Sequence, residues 1–241
     1  MTKLELKIIY EDDNLVAVNK PSGLLSIPDR FDAKIPSLKN ILAEKYGDIF
    51  VIHRIDRDTS GIILFARNED AHRYYSMAFE ERKIAKKYLG LVHGTPSPAS
   101  GTIDKPIAHH PVLKGKMVVH KNGKPSVTHY RTLDSFGLFS IVEFEIETGR
   151  THQIRVHMQD KGNPIACDPL YGTAEPIFLS RIKRNFKMSK NQEVEIPMLN
   201  RLALHAHSLE FKTPSGNTVK LEAELFKDMQ ATLTQLRKNS K

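Results

Sequence analysis

The sequence predicts an α+β fold, a mixed and largely antiparallel central sheet with flanking helices and loops, and two observations carry that reading. Short apolar runs bounded by turn residues alternate irregularly with capped segments of helical spacing. The order of these segments shows neither a regular strand-helix alternation nor an internal repeat, which argues against a doubly wound or solenoid architecture. A chain of 241 residues with 40% hydrophobic content can bury a substantial core, so a single domain over 1–241 is expected.

The elements follow in order. The polar run Glu11-Asp12-Asp13-Asn14 leads into a strand from Leu15 to Val18, which a Lys-Pro-Ser-Gly loop ends. Pro36 and Ser37 introduce a helix with Leu38, Ile41, Leu42 and Ala43 at helical spacing, and Gly47 is placed to stop it. Ile62 to Ala66 reads as a buried strand. Asn68, Glu69 and Asp70 then cap a second helix whose apolar face holds Ala71, Tyr75 and Ala78. A strand from Ile84 to about Val92 follows, then a Pro-rich loop over Gly94 to Pro98 that is too short to separate domains. Asn122-Gly123 predicts a hairpin between Met117-Val118-Val119 and Val127-Thr128. Val142, Phe144 and Ile146 alternate with glutamates as a half-exposed strand, Thr151 to Lys161 forms a helix with Ile154 and Met158 on one face, and Leu225, Met229, Leu233 and Leu236 mark a C-terminal amphipathic helix.

Lys+Arg 36 against Asp+Glu 28 gives a net charge of +8, which favours polyanionic partners without choosing between nucleic acid and acidic lipid. The basic residues cluster at Lys114 and Lys116, at Lys121 and Lys124, at Arg181, Lys183, Arg184 and Lys187, and at Arg237, Lys238 and Lys241. One cysteine, Cys167, permits no intramolecular disulfide; with no leader-like or membrane-length apolar run, a cytoplasmic protein without membrane attachment is expected.

Chemistry concentrates in His53-Arg54-Ile55-Asp56-Arg57-Asp58-Thr59-Ser60-Gly61, where carboxylates and guanidiniums meet the start of an apolar strand. Such a place can keep a carboxylate ionised yet partly dehydrated, as a nucleophile or base requires, although a solvated turn would use the same residue types. The segment resembles the signature of the RluA-type pseudouridine synthases: His-Arg-Leu/Ile-Asp, then Thr-Ser-Gly, then an apolar strand. Val16 to Leu24, Lys86-Lys87-Tyr88-Leu89, Gly149 to His157, Asp168-Pro169-Leu170-Tyr171-Gly172 and Leu204-His205-Ala206 resemble further segments of that family in the same order. The resemblance runs from about Ile8 to about Phe211.

That resemblance implies a sheet with helices around a catalytic cleft, an isomerase converting uridine to pseudouridine in structured ribosomal or transfer RNA, and Asp56 as the catalytic carboxylate. It implies Tyr88 as an aromatic partner of the uracil and Arg155 as the ion-pair partner of Asp56. Arg54, Thr59, Ser60, His152, Ile154, Leu204 and His205 are expected around the substrate, and Lys20, Lys114, Lys116, Arg181, Lys183 and Arg184 along the RNA backbone. Many family members carry an additional N-terminal S4 RNA-binding domain; this chain enters the signatures almost at once, so the catalytic domain is expected to bind RNA by itself, as a monomer.

The isomerisation leaves redox state and composition unchanged, so no cofactor is expected, and the chain shows neither a dinucleotide fingerprint nor a phosphate-binding Walker loop. His152 and His157, five apart, and His205 and His207 lack the companions of a metal site, so no metal is expected. Two other readings fit part of the pattern: a non-catalytic RNA-binding protein, on charge alone, and a uracil-releasing glycosidase, which would also set a carboxylate at the sugar carbon.

Overall fold

The computed structural model describes residues 6–32, 34–188 and 193–240. It resolves into two compact units, one built from residues up to Tyr88, Glu145–Glu147 and His205–Glu224, the other from Leu89–Phe144, Thr148–Leu204 and Leu225 onward.

In the first unit the strand order is β1 (Lys7–Glu11), β2 (Leu15–Lys20), β4 (Ser60–Ala66), β11 (Leu204–Lys212), with β3 (Phe50–Val51) beside β4 and β12 (Thr218–Glu222) beside β11. Every residue of β2 and β4 is buried, because the sheet is covered on both faces. Leu15, Ala17, Ile62 and Leu64 point toward helix α2 (Glu69–Glu80) and pack with its Ala71, Tyr75 and Ala78. Val16, Val18, Ile63 and Phe65 point the other way, onto Leu38 and Leu42 of helix α1 (Leu38–Tyr46). The period of two thus sorts one continuous apolar run into two cores. Both helices begin as their sequences predict: the Ser37 side chain accepts from Asn40 N, that of Asn68 from Ala71 N, and the Gly47 N–H closes α1 on Ala43 O with φ 77°.

β2 meets β4 antiparallel, from Leu15 opposite Ala66 to Lys20 opposite Gly61, whereas β11 meets β4 in parallel, with His205 opposite Ser60 and Ala206 opposite Gly61. Gly61 has φ 112°, and a Cβ there would lie 2.1 Å from Ala206 O. Only glycine lets the two backbones approach this closely.

In the second unit the order is β5 (Ala85–His93), β10 (Phe139–Ile146), β9 (Val127–Ser135), β6 (Ser100–Asp104), with a separate pair β7 (Ile107–His109) and β8 (Met117–Val119). The hairpin expected around Asn122-Gly123 does not form. β8 pairs with β7, β9 pairs with β6, and the turn instead carries Lys124 back onto Ile107. Gly123 serves that return, since a Cβ would sit 2.5 Å from the carbonyl carbon of Ile107. Helix α3 (Gln153–Asp160) starts after His152 in a left-handed conformation, φ 56°. It is buried on all sides and not on one face as expected, because its polar residues are satisfied inside. Gln153 Nε2 donates to Val127 O and Thr128 Oγ1, and His157 lies between Thr128 Oγ1 and Lys105 O. A short helix α4 (Leu179–Ile182) and the C-terminal helix α5 (Lys227–Asn239), which buries Met229, Leu233 and Leu236, complete the unit. Lys241, the last residue of a basic cluster, lies outside the described residues.

Replacing Gly61 by alanine combines a strained φ with a backbone clash, so Gly61→Ala is expected to lower stability by roughly 3 kcal/mol or more, read as a fall in the urea midpoint at unchanged slope.

Candidate active site

Asp56 lies in the extended segment before β4, half-buried, between the buried Ile55 and the exposed Arg57. The loop after β2 fixes its main chain. Ser26 Oγ donates to Ile55 O at 2.8 Å, Gly23 N to Arg57 O at 2.9 Å, and Ser22 Oγ to Asp58 O at 2.6 Å. Lys20, expected on the RNA backbone, is instead fully buried: its Nζ donates to Arg57 O and Leu24 O, both at 2.8 Å, and to Pro21 O at 3.0 Å. This is a correction with a plain cause: three carbonyls of two loops converge on one ammonium and leave it no solvent contact.

From the other side His53 holds the same segment. Its Nε2 accepts from Leu64 N at 3.0 Å and its ring stacks on Phe79, centroids 4.3 Å apart. Burial, and next the charge of Lys86, push its pKa down to about 3, so the ring is neutral and able to accept.

Tyr88, on β5, lies within range of the Asp56 charge. Burial and then the Asp56 carboxylate raise its phenol above the usual range, so the hydroxyl keeps its proton at neutral pH. Arg54 is exposed at the same segment.

Thr59, Ser60 and His205, expected at the substrate, are buried, the last two completely. His205 Nε2 lies 3.2 Å from Ala223 O and its Nδ1 2.9 Å from Ser60 Oγ. With Nε2–H donating to the carbonyl, Nδ1 accepts from the serine hydroxyl. The Ser60 and His205 side chains lock β4 to β11, and these three residues are corrected from substrate contacts to buried positions.

In the second unit Arg155 is 1% exposed and grips Asp168 in a fork, Nε to Oδ2 at 2.7 Å and Nη2 to Oδ1 at 2.8 Å. Asp168 Oδ1 also accepts from Leu170 N and Tyr171 N. The guanidinium lies 5.0 Å from the centroid of Tyr171, whose hydroxyl accepts from Met117 N and lies 2.8 Å from His152 Nδ1. Asp168 and Tyr171 had no assigned role in the sequence, although the Asp-Pro-Leu-Tyr-Gly segment that holds them stood out. Ile154 and Leu204, expected around the substrate, are buried; Leu204 packs beside Gly90, where Phe144 and Ile165 also converge.

Lys114 is exposed, and Lys116 lies over the Tyr171 ring at 5.4 Å. Lys183 and Arg184 are exposed, as is Arg181, which pairs with Glu175 at 2.7 Å. A groove of about 390 Å³ lies between β7–β8 and the Gly149-Arg150-Thr151 turn, with Lys124 and Arg150 on its wall. Among the described residues no group of three or more His, Cys, Asp or Glu is placed to hold a metal ion, and no helix is long and apolar enough to cross a membrane.

Residues 14–160 match the family model of RNA pseudouridylate synthase. The chain is 35% identical over 240 residues to ribosomal large subunit pseudouridine synthase D of Nitrosomonas europaea, covering 97% of this chain and 66% of that protein. It is 37% identical to an RNA pseudouridine synthase of Bacillus subtilis, covering 98% of this chain and 74% of that one. Among solved structures, human RNA pseudouridylate synthase domain containing 4 superposes with a TM-score of 0.73 at 28% identity, over 95% of this chain and 92% of the human chain. With the Asp56 segment and the Tyr88 strand inside the matched span, the chain belongs to the RNA pseudouridylate synthase family. It spans about two thirds of the length of the Nitrosomonas relative and about three quarters of the Bacillus one.

Lys20→Met leaves the Pro21 and Leu24 carbonyls without their donor, so stability should fall by roughly 2–4 kcal/mol while the salt dependence of RNA binding stays that of the native chain. The depressed pKa of His53 carries a sign. An unfolded histidine takes up a proton below about pH 6.5, whereas the folded one does so only near pH 3. The stability present above pH 6.5 is therefore lost as pH falls toward 3, and urea midpoints should drop over that range less steeply in His53→Gln, whose amide oxygen can still accept from Leu64 N.

Proposed function

We propose that this chain isomerises uridine to pseudouridine in structured RNA, with ribosomal RNA as the first substrate class, and that Asp56 is its catalytic carboxylate. The observation that carries this is the immobilised Asp56 beside a protonated Tyr88, set in a segment that matches the family's signature. The reaction breaks the bond between uracil N1 and the sugar C1′ and joins C5 to that same carbon. Asp56 acts at the sugar, either as nucleophile on C1′ or as base in a glycal route. Its fixed main chain keeps the carboxylate oriented through the interval in which the base turns over.

Tyr88, protonated and aromatic, offers the uracil a face to stack on and a hydroxyl to steer it. Arg155, by its place in the Gly149 to His157 segment, is the arginine of the catalytic set. Its Nε and Nη2 are taken up by Asp168, so the fork fixes the guanidinium plane before any substrate arrives. Arg54, exposed on the same segment, is placed to follow a base drawn out of its stack. Lys114, Lys116, Lys183 and Arg184 supply phosphate contacts. Ribosomal RNA is favoured by the relative from Nitrosomonas, a large-subunit enzyme by name. The protein is proposed to act in the cytoplasm as a monomer with one catalytic domain.

The test is tritium release from C5-labelled uridine in unmodified ribosomal and transfer RNA transcripts. The native chain should release tritium and no free uracil, with Asp56→Asn reducing the rate by roughly 10²- to 10⁴-fold at unchanged RNA affinity. Free uracil would assign a glycosidase instead, and tight binding without release from any transcript would assign a non-catalytic RNA-binding protein.

A further inference from the structure

The corner between α2 and β5 gathers Arg82, Lys83, Lys86 and Lys87 in six residues, immediately before Tyr88. Lys86 is the unusual member. It is 8% exposed, between the exposed Ala85 and the half-buried Lys87, and among the described residues its Nζ has neither a hydrogen bond nor an ion pair, while the tip of the ammonium reaches solvent. What it has is the face of Phe79, 5.8 Å from ammonium to ring centroid. Phe79 in turn stacks on His53, whose Nε2 is already occupied by Leu64 N. The aromatic layer therefore gives the ammonium a rigid bed and no counter-charge.

Nor do the surroundings supply one. The adjacent carboxylate, Glu81, is taken by Lys83. The charged neighbour that acts on Lys86 is Arg82, a like charge, and burial and that repulsion both lower the lysine's pKa. Arg82 is exposed and held in a left-handed turn at φ 58°, its N–H bonded to Phe79 O. Lys86 thus presents an ammonium seated on an aromatic face and reaching solvent, and among the described residues no carboxylate is paired with it.

We propose that Lys86 and Arg82 bind a phosphodiester of the RNA substrate at the α2–β5 corner, on the backbone beside the uridine that Tyr88 faces. Lys86 and Tyr88 are two positions apart on one strand and so share a face, roughly 7 Å apart along it. That spacing seats a backbone phosphate next to the base under Tyr88. The anion's identity as RNA phosphate rests on the pseudouridine synthase reading; the unpartnered ammonium does not.

The experiment measures RNA binding against salt for the native chain, Lys86→Met, Lys86→Arg and Arg82→Asn, the last chosen because asparagine tolerates the left-handed turn. Lys86→Met should weaken binding several-fold and lower the slope of log affinity against log salt by about one, Arg82→Asn should do so in the same direction, and Lys86→Arg should retain the native slope. Without RNA, Lys86→Met should melt no lower than the native chain, since it removes neither a hydrogen bond nor an ion pair and keeps an unbranched apolar side chain against Phe79. A native slope in Lys86→Met would overturn the proposal, and a lowered melting temperature with that slope would reassign the ammonium to folding. Tritium release by the native chain is scored separately. An inactive chain that binds RNA with a Lys86-dependent slope would sink the isomerase reading and keep the phosphate site, and an active chain with a Lys86-independent slope would do the reverse.

Discussion

Three backbone carbonyls around Asp56, those of Ile55, Arg57 and Asp58, each accept from the loop that follows β2, and the buried ammonium of Lys20 sits at the centre of that grip. A carboxylate on an open segment would sample many orientations, and each of them would have to be abandoned before it could meet a sugar carbon. Here the ordering is done by folding. The same constraint explains why the Lys-Pro-Ser-Gly loop is built from residues with short or absent side chains. Ser22 and Gly23 bring hydroxyl and amide within reach of the Asp56 strand, and Lys20 alone is long enough to reach past them from the sheet.

The second unit solves a related problem with charge. Arg155 is buried in α3, where a lone guanidinium would be costly, and Asp168 compensates it through two parallel bonds while being held by two backbone amides. Tyr171 covers the guanidinium's face. The arginine is therefore oriented by partners within its own unit, independently of any substrate. Charge at Tyr88 works oppositely: burial and the Asp56 carboxylate both oppose ionisation, so the phenol stays neutral.

Much of the first unit was legible in the sequence because its signals are local. Asn68 with Glu69 and Asp70 announces α2, and the spacing of Ala71, Tyr75 and Ala78 gives its buried face. Asp56 and Tyr88 were singled out through segments of the family's wording, and composition and periodicity single out neither. What was not legible depends on contacts distant in the chain. Asn122-Gly123 marks a turn correctly, but which strand the chain returns to is decided by Ile107 and Lys124. Lys20 carries the same letter whether it meets phosphate or three carbonyls. Ser60 and His205 are each polar residues near a reactive segment, and only their opposition across a parallel ladder shows that they serve each other. Helix α3 read as amphipathic because Gln153, Arg155 and His157 are polar; their partners lie on other elements.

The close approach at Gly61 has a consequence for how this sequence can drift. The space a side chain would need is already filled by the main chain of Ala206, so position 61 has no tolerated neighbour unless the backbone of β11 shifts with it. A shift of β11 would carry His205 away from Ser60, and with it the start of the strand that Asp56 precedes. Two segments separated by more than half of the chain are thereby tied into one inherited unit, in which change at either end is admissible only as a matched pair.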